Sequence, residues 1–250
     1  MRQLIKENTS LRRLYYWLRL LRFNSQSNEC TILSELTKHA PRTFIEFGFH
    51  PVEFNCIALA KDPEWSGLLV DGNERQVEDA HALWPSRIET VKKFLTLENL
   101  DFIRTRFSKL GVLSIDVDGN DYWFLKALIG MSPSVICVEY NSTFGLEPIT
   151  VPYDAGFDRH LKHPRGWFHG ASLPLFRNCA SSTATGSPQY LKRGPMHSLP
   201  AMANWTPAAP GSPTGFASSS PAFPTTSNGT RSSTCPLWPS DSQHQLAQYP

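Results

Sequence analysis

Between residues 43 and 140 the chain alternates short apolar runs with segments of helical period. The runs are TFIEF (43–47), SGLLV (66–70), the stretch 89–93, VLSIDV (112–117) and VICVEY (135–140). Each has strand length and is bounded by turn formers or charges, as a buried strand requires. The segments between them place apolar residues every three to four positions, which predicts helices over 53–61, 73–83, 98–109 and 121–129. Two further helices are expected upstream, over 2–22 and 30–39. The second carries Ile32, Leu33 and Leu36 on one face. Strands alternating with helices imply a parallel sheet covered on both faces, and right-handed crossovers then wind it in both directions. The expected fold is a doubly wound, mostly parallel α/β domain of the Rossmann-like kind.

The two ends depart from this pattern. Residues 1–23, MRQLIKENTSLRRLYYWLRLLRF, mix leucines and aromatics with Arg12, Arg13, Arg19 and Arg22. The arginines interrupt any leader-like apolar core, so an amphipathic helix is expected, packed on its own domain. Weak contact with a membrane surface is the alternative. Residues 24–176 form the expected α/β domain. Beyond it, 177–250 hold 11 of the chain's 20 prolines and a single acidic residue, Asp241. No period of two or of 3.6 persists there, and such a segment buries too little to offset its ordering entropy. It reads as a disordered Pro/Ser-rich tail, and a shifted reading frame accounts for it better. With silent bases chosen freely, the segment from Asn178, read from the third base of its codon, spells LCVLNGYRLAAVSETGAYAF. That peptide has a helix end, a turn and two strands. On this reading the last strands of the sheet are missing from the chain.

Composition narrows the function. A chain of 250 residues with 40% hydrophobic and 12% aromatic content can build a real core. A net charge of +2 argues against a broad nucleic-acid surface. No apolar run is long enough for a transmembrane segment. The five cysteines are odd in number and include no CxxC. Cys56 and Cys137 sit in apolar segments and read as core residues, so a reducing, cytoplasmic setting is expected, without disulfides or zinc. His50, His160, His163 and His169 lack the HxxxH and HExxH spacings, and no metal is expected on them.

Ligands of doubly wound sheets bind beyond the carboxyl ends of the strands. Those ends carry Glu46, Gly48 and His50; then Asp71 and Gly72; then Phe94; then Asp116, Asp118 and Asp121; then Glu139 and Asn141. An acidic residue follows four of the five strands. Carboxylates suit a ligand rich in hydroxyls and positive charge. A pyrophosphate needs N–H groups and glycines instead, and both GxGxxG and GxxxxGK are absent. This argues against NAD and ATP. It leaves S-adenosyl-L-methionine, which has a ribose, an amino group and a sulfonium but no phosphate. Three other readings stay open. Asp116-x-Asp118 also suits a metal-dependent glycosyltransferase of the DxD kind. The similar phosphatase motif DxDGT is discounted, because Asn120 replaces the threonine and no acid pair follows. Asp118 and Asp121 also suit a turn and a helix N-cap, and a chain without its last strands would be a non-catalytic remnant.

Taken together, residues 24–176 resemble the FkbM-type methyltransferases of the class I S-adenosylmethionine-dependent superfamily. Glu46-Phe47-Gly48 looks like the first motif, Asp71 in GLLVDGNE like the acid ending the second strand, and LSIDVDGND (113–121) like the fourth-strand motif. NSQSNECTIL, VICVEYNSTFG, VPYDAGF and GASLPLF are similar to segments of one branch. The resemblance implies Glu46 and Gly48 at the methionine moiety, Asp71 and Gly72 at the ribose, and Phe94 near the adenine. It places Asp116 at the sulfonium or the acceptor. It also implies methyl transfer to an oxygen of a small molecule or sugar, with Asp116, Asp118, Glu139 and His169 as candidate bases. Phe49, His50, Pro51 and Val52 fill a turn where the family places small residues.

Overall fold

The computed structural model of the chain describes residues 7–22, 29–181 and 189–193. Two helices lead in, α1 (Thr9–Arg22) and α2 (Glu29–Leu36). The alternation then runs β1 (Thr43–Phe47), α3 (Ile57–Lys61), β2 (Ser66–Asp71), α4 (Glu74–Leu83), β3 (Ile88–Lys92), α5 (Asp101–Arg104), β4 (Val112–Ile115), α6 (Asp121–Leu128) and β5 (Val135–Glu139). Two short helices, α7 (Arg159–Lys162) and α8 (Leu173–Ser181), precede a last strand, β6 (Gln189–Arg193).

The strands form one sheet in the order β3-β2-β1-β4-β5-β6, with every pairing parallel. The chain winds outward from β1 to β3, returns to β4 beside β1, and winds outward the other way. The expected doubly wound α/β class is what forms. Period-two alternation divides the core between the two faces. Ile45, Phe47, Leu113, Ile115, Ile136 and Val138 pack with Phe124, Leu125 and Leu128 of α6 and with Phe176 of α8. Phe44, Leu69, Val112 and Val135 pack on the opposite face with Leu33, Ile57, Val77 and Ala80 of α2, α3 and α4.

Where boundaries differ from the pattern, local chemistry accounts for it. The helix expected over 98–109 is cut to a 3₁₀ turn, Leu97–Asn99, followed by α5. Thr96 and Asn99 cap each other reciprocally at its start. From Thr105 to Ser108 only Phe107 is apolar, so no buried stripe continues the helix. The strand expected to 117 ends at Ile115, so Asp116 begins a loop instead of ending a strand. The boundary expected at 176/177 falls inside α8.

One strand comes from the segment expected to contribute none: β6 lies parallel beside β5, Val135 opposite Gln189 and Glu139 opposite Arg193. Five residues between Pro188 and Gly194 are too few for a periodicity reading, yet they cover the outer edge of β5. Residues 194–250, with the tail and reading-frame expectations attached to them, and the NSQSN segment at 24–28 lie outside the described residues. Among the described residues no helix is long and apolar enough to cross a membrane.

Candidate functional site

The winding reverses between β1 and β4, and there the loops after the two strands must diverge. Gly48 makes this close approach workable. Its φ is +69°, and a Cβ built on it would lie 1.7 Å from the carbonyl oxygen of Asp116. Only glycine combines a left-handed backbone with that contact. The Asp116 amide donates to the Phe47 carbonyl at 3.0 Å, and the Gly48 amide to that of Val70 at 3.1 Å. Above this junction opens a cleft of about 1140 Å³. It takes in Gly48, Asp71, Gly72, Phe94, Asp116, Asp118 and Glu139 of the expected site residues.

Glu46 is the exception. Alternation along β1 turns it to the face of α2, α3 and α4, where it is buried and outside the cleft lining. Its carboxylate accepts the amides of Asn55 (2.7 Å) and Cys56 (2.8 Å), and Asn55 Nδ2 donates to Ser114 Oγ. Glu46 therefore holds the 48–56 loop in shape. The bulky turn at 49–52, a departure that would weaken cofactor approach, is partly packed away: Phe49 and Phe54 join the core and Trp84 Nε1 donates to the Pro51 carbonyl, while Phe49 and His50 still line the cleft.

At one end of the cleft stands Asp71, accepting the amides of Phe49 (3.2 Å) and Asn73 (2.6 Å). Burial raises its pKa above the ordinary carboxylate value. Gly72 lies against the exposed ring of Phe94, whose Cδ2 would be 3.0 Å from an added Cβ. Gln76 on α4 lines the same end, and its Oε1 is buried with no hydrogen-bond partner.

The middle of the cleft is acidic. Single carboxylate oxygens of Asp116, Asp118 and Glu139 lie within 4.8 Å of one another. No metal was expected, yet these three could hold a divalent cation by geometry. Asp118, at φ 57°, forms an ion pair with Arg159, whose guanidinium opposes a cation there. Asp121, buried under the loop, accepts the amides of Val117 (3.1 Å) and Gly119 (2.9 Å) and so shapes it. Of the turn and N-cap reading of Asp118 and Asp121, the turn part fits Asp121, while Asn120 stands at the cap of α6 and Asp118 reaches the cleft.

Burial first, then the neighbouring Asp116, Asp121 and Asp118, pushes Glu139 up to about 8. Burial likewise pushes Asp121 and Glu46 up to about 7, against the pull of their amide donors. Each value exceeds that of the unfolded chain, so the folded state holds extra protons across the interval. The stability these three carboxyls contribute is therefore full below about pH 4 and is lost as pH rises through 7 to 8, outweighing the opposite and smaller contribution of His169 between about 4 and 6.5. The melting temperature is expected to fall by several degrees between roughly pH 5 and pH 8. A melting temperature that climbs over that range would show these carboxyls ionised throughout.

The far wall went unread in the sequence, apart from His169 and Asn141. Residues 141–172 fold over the carboxyl ends of β4 and β5. Asn141 Nδ2 donates to the carbonyls of Trp167 (2.7 Å) and His169 (2.9 Å). Asn120 Nδ2 donates to that of Asp154 (2.8 Å). Arg159 spans the wall: Nε donates to the Gly166 carbonyl, one terminal nitrogen meets Asp118, and the other lies 3.3 Å from His169 Nε2. Burial, and secondly Arg159, lowers His169 to about 4, so it stays neutral near pH 7. Arg165 lies over the Trp167 ring at 5.0 Å. Arg159 opens the single turn of α7, and Arg165 and Trp167 follow on a loop, so no periodicity signalled their convergence in the sequence.

Fold and site together define a doubly wound α/β protein with an acidic cleft at its switch point. No family model matches the chain, and no curated protein matches it. Among solved structures it is similar to the N-terminal domain of EvdMO1 with SAH bound, at 16% identity, covering 62% of this chain and 69% of that one, with a TM-score of 0.41. The same domain in the presence of SAH and D-fucose gives 17% identity over 61% and 69%, with a TM-score of 0.40. A candidate O-methyltransferase from Klebsiella pneumoniae gives 15% identity over 73% and 84%, with a TM-score of 0.44.

Proposed function

We propose that this chain is an S-adenosylmethionine-dependent methyltransferase of the FkbM type that methylates a hydroxyl of a small molecule or sugar. The observation that carries the reading is the switch-point cleft. Carboxylates line it where a phosphate-binding protein would place glycines and amides. The residues fit the cofactor's chemistry. Asp71 offers carboxylate oxygens for ribose hydroxyls, and Gln76 Oε1 is a buried acceptor without a partner at the same end. Gly48 lines the cleft at the turn where β1 and β4 meet. Phe94 presents a ring for an adenine face.

When bound, the cofactor supplies an electrophilic methyl group on a positively charged sulfur. The chain's part is to place the acceptor oxygen in line with it and to take the hydroxyl proton. Asp116 faces that charge. Glu139, held near 8, is the base whose proton affinity suits a hydroxyl best. Asp118, fixed by Arg159, orients the acceptor. The cleft residues would align the displacement that passes this methyl to the acceptor oxygen as the carbon–sulfur bond is lost. S-adenosylhomocysteine and a methyl ether would be left, and Glu139 would hold the hydroxyl proton.

Calorimetric titration of S-adenosylmethionine into the full chain tests this. Saturable micromolar binding is expected, and Asp71→Ala should weaken it about tenfold or more, the scale of hydrogen bonds to a charged group. Binding unchanged in Asp71→Ala would remove that residue from the site. The proximity of Asp116, Asp118 and Glu139 favours a second reading, a divalent cation serving a nucleotide-sugar enzyme. A folded protein that ignores the cofactor but binds Mn²⁺ would shift the assignment there.

A further inference from the structure

Helix α1 is turned the unusual way round. Its polar side faces the domain. Arg12 Nη2 reaches Asp79 at 3.0 Å and Arg13 Nε reaches the same carboxylate at 3.1 Å, both anchoring to α4. Arg12 and Asp79 are both buried. Tyr16 Oη lies 3.3 Å from His50 Nε2, and Arg19 pairs with Glu53. The apolar side faces out: Leu11, Leu14, Tyr15, Trp17, Leu18 and Leu21 are 44–65% exposed. An amphipathic helix held only by its own domain would be rotated half a turn. The buried ion pair prevents that, because turning Asp79 out of its contacts would strand a charge in the core.

The outward residues have a definite spacing. Leu11, Leu14, Leu18 and Leu21 recur at intervals of three, four and three, the narrow stripe of a two-helix seam. Tyr15 and Trp17 flank it. The six side chains present roughly 600 Å² of apolar surface, at the top of what a monomer exposes and approaching the ~800 Å² per partner of a standard interface. A helix lying on an anionic bilayer needs cations beside its apolar face. Here Arg12, Arg13 and Arg19 are drawn inward to Asp79 and Glu53.

We propose that α1 is the seam of a homodimer, two copies of this chain packing Leu11, Leu14, Leu18 and Leu21 against one another across a twofold axis. A twofold contact is self-complementary, so one stripe serves both copies. The helix is already formed on its domain, which removes the ordering cost that a two-heptad coil would otherwise face. The seam also reaches the cleft, since His50 and Glu53 line it and α1 holds both.

Sedimentation equilibrium of the full chain at tens of micromolar tests the seam. A dimer mass is expected for the wild type. Leu14→Glu with Leu18→Glu should give the monomer mass with an unchanged circular dichroism melt; should that pair unfold, Leu14→Asn with Leu18→Asn carries the same test. A monomeric wild type overturns the proposal, as does a dimer that survives in a folded double variant. So does a wild type that stays monomeric in solution but floats with phosphatidylglycerol vesicles, which would assign the stripe to lipid.

Discussion

Gly48→Ala is expected to destabilise the domain by about 3 kcal/mol or more and to abolish cofactor binding with it. Two costs combine. A left-handed alanine costs roughly 1–2 kcal/mol by itself. The added methyl would also sit 1.7 Å from the Asp116 carbonyl oxygen, so β1 and β4 must separate where they meet the cleft. Gly145 supplies the control. Its φ is also positive, +61°, at a ψ of −135° that favours glycine still more strongly, and nothing lies within 4 Å of an added Cβ, so Gly145→Ala should carry a backbone cost without a steric one. Urea unfolding of both variants, followed by titration of S-adenosylmethionine, separates the two costs. If Gly48→Ala unfolds no more easily than Gly145→Ala, the close approach at the switch point is relaxed without penalty and the cleft is not built on it.

Much of this was legible because each element was short and strongly patterned. The run TFIEF could only be a strand, and its alternation predicts two buried faces. The same alternation, followed one step further, would have placed Glu46 beside Phe44 on the face covered by α2, α3 and α4. The motif resemblance directed attention to its acidity and away from its parity. The place of Asp71 and Gly72 beside the cleft was legible because they stand at the carboxyl end of a strand in a doubly wound sheet. Asp116 was readable for the same reason, although the strand stops one residue earlier.

The remainder was hidden for physical reasons. Arg159, Trp167 and His169 are brought together by side-chain bonds from Asn141 and Asn120 to distant carbonyls, and such bonds leave no period in a sequence. The orientation of α1 was hidden differently. Its pattern marks two faces correctly but does not say which faces inward. That was decided by Asp79, which reads as an ordinary exposed residue of an amphipathic helix until its burial against Arg12 is seen. β6 was too short, and too close to Pro188, to stand out from the composition around it.

Glu139→Gln is expected to lower the rate of methyl transfer about 10²- to 10⁴-fold, the span of a lost general base, while leaving cofactor affinity nearly unchanged. In the wild type the rate should climb with pH to a plateau above about 8, as Glu139 loses its proton, and the variant should lack this rise. A structural role alone would not erase a pH profile. The same substitution makes an independent prediction on stability. Glu139 titrates higher in the folded chain than its ordinary 4.5, so the wild type gives up stability as pH passes from that value to about 8. Glutamine keeps the shape and never ionises. The variant should therefore melt close to the wild type near pH 5 and above it near pH 8, a gain in stability at the site where activity is lost. A variant that keeps its rate and pH profile would remove Glu139 from the chemistry. One that melts below the wild type at pH 8 would show that its charge is stabilised in the cleft, and would turn attention to the cation that does so.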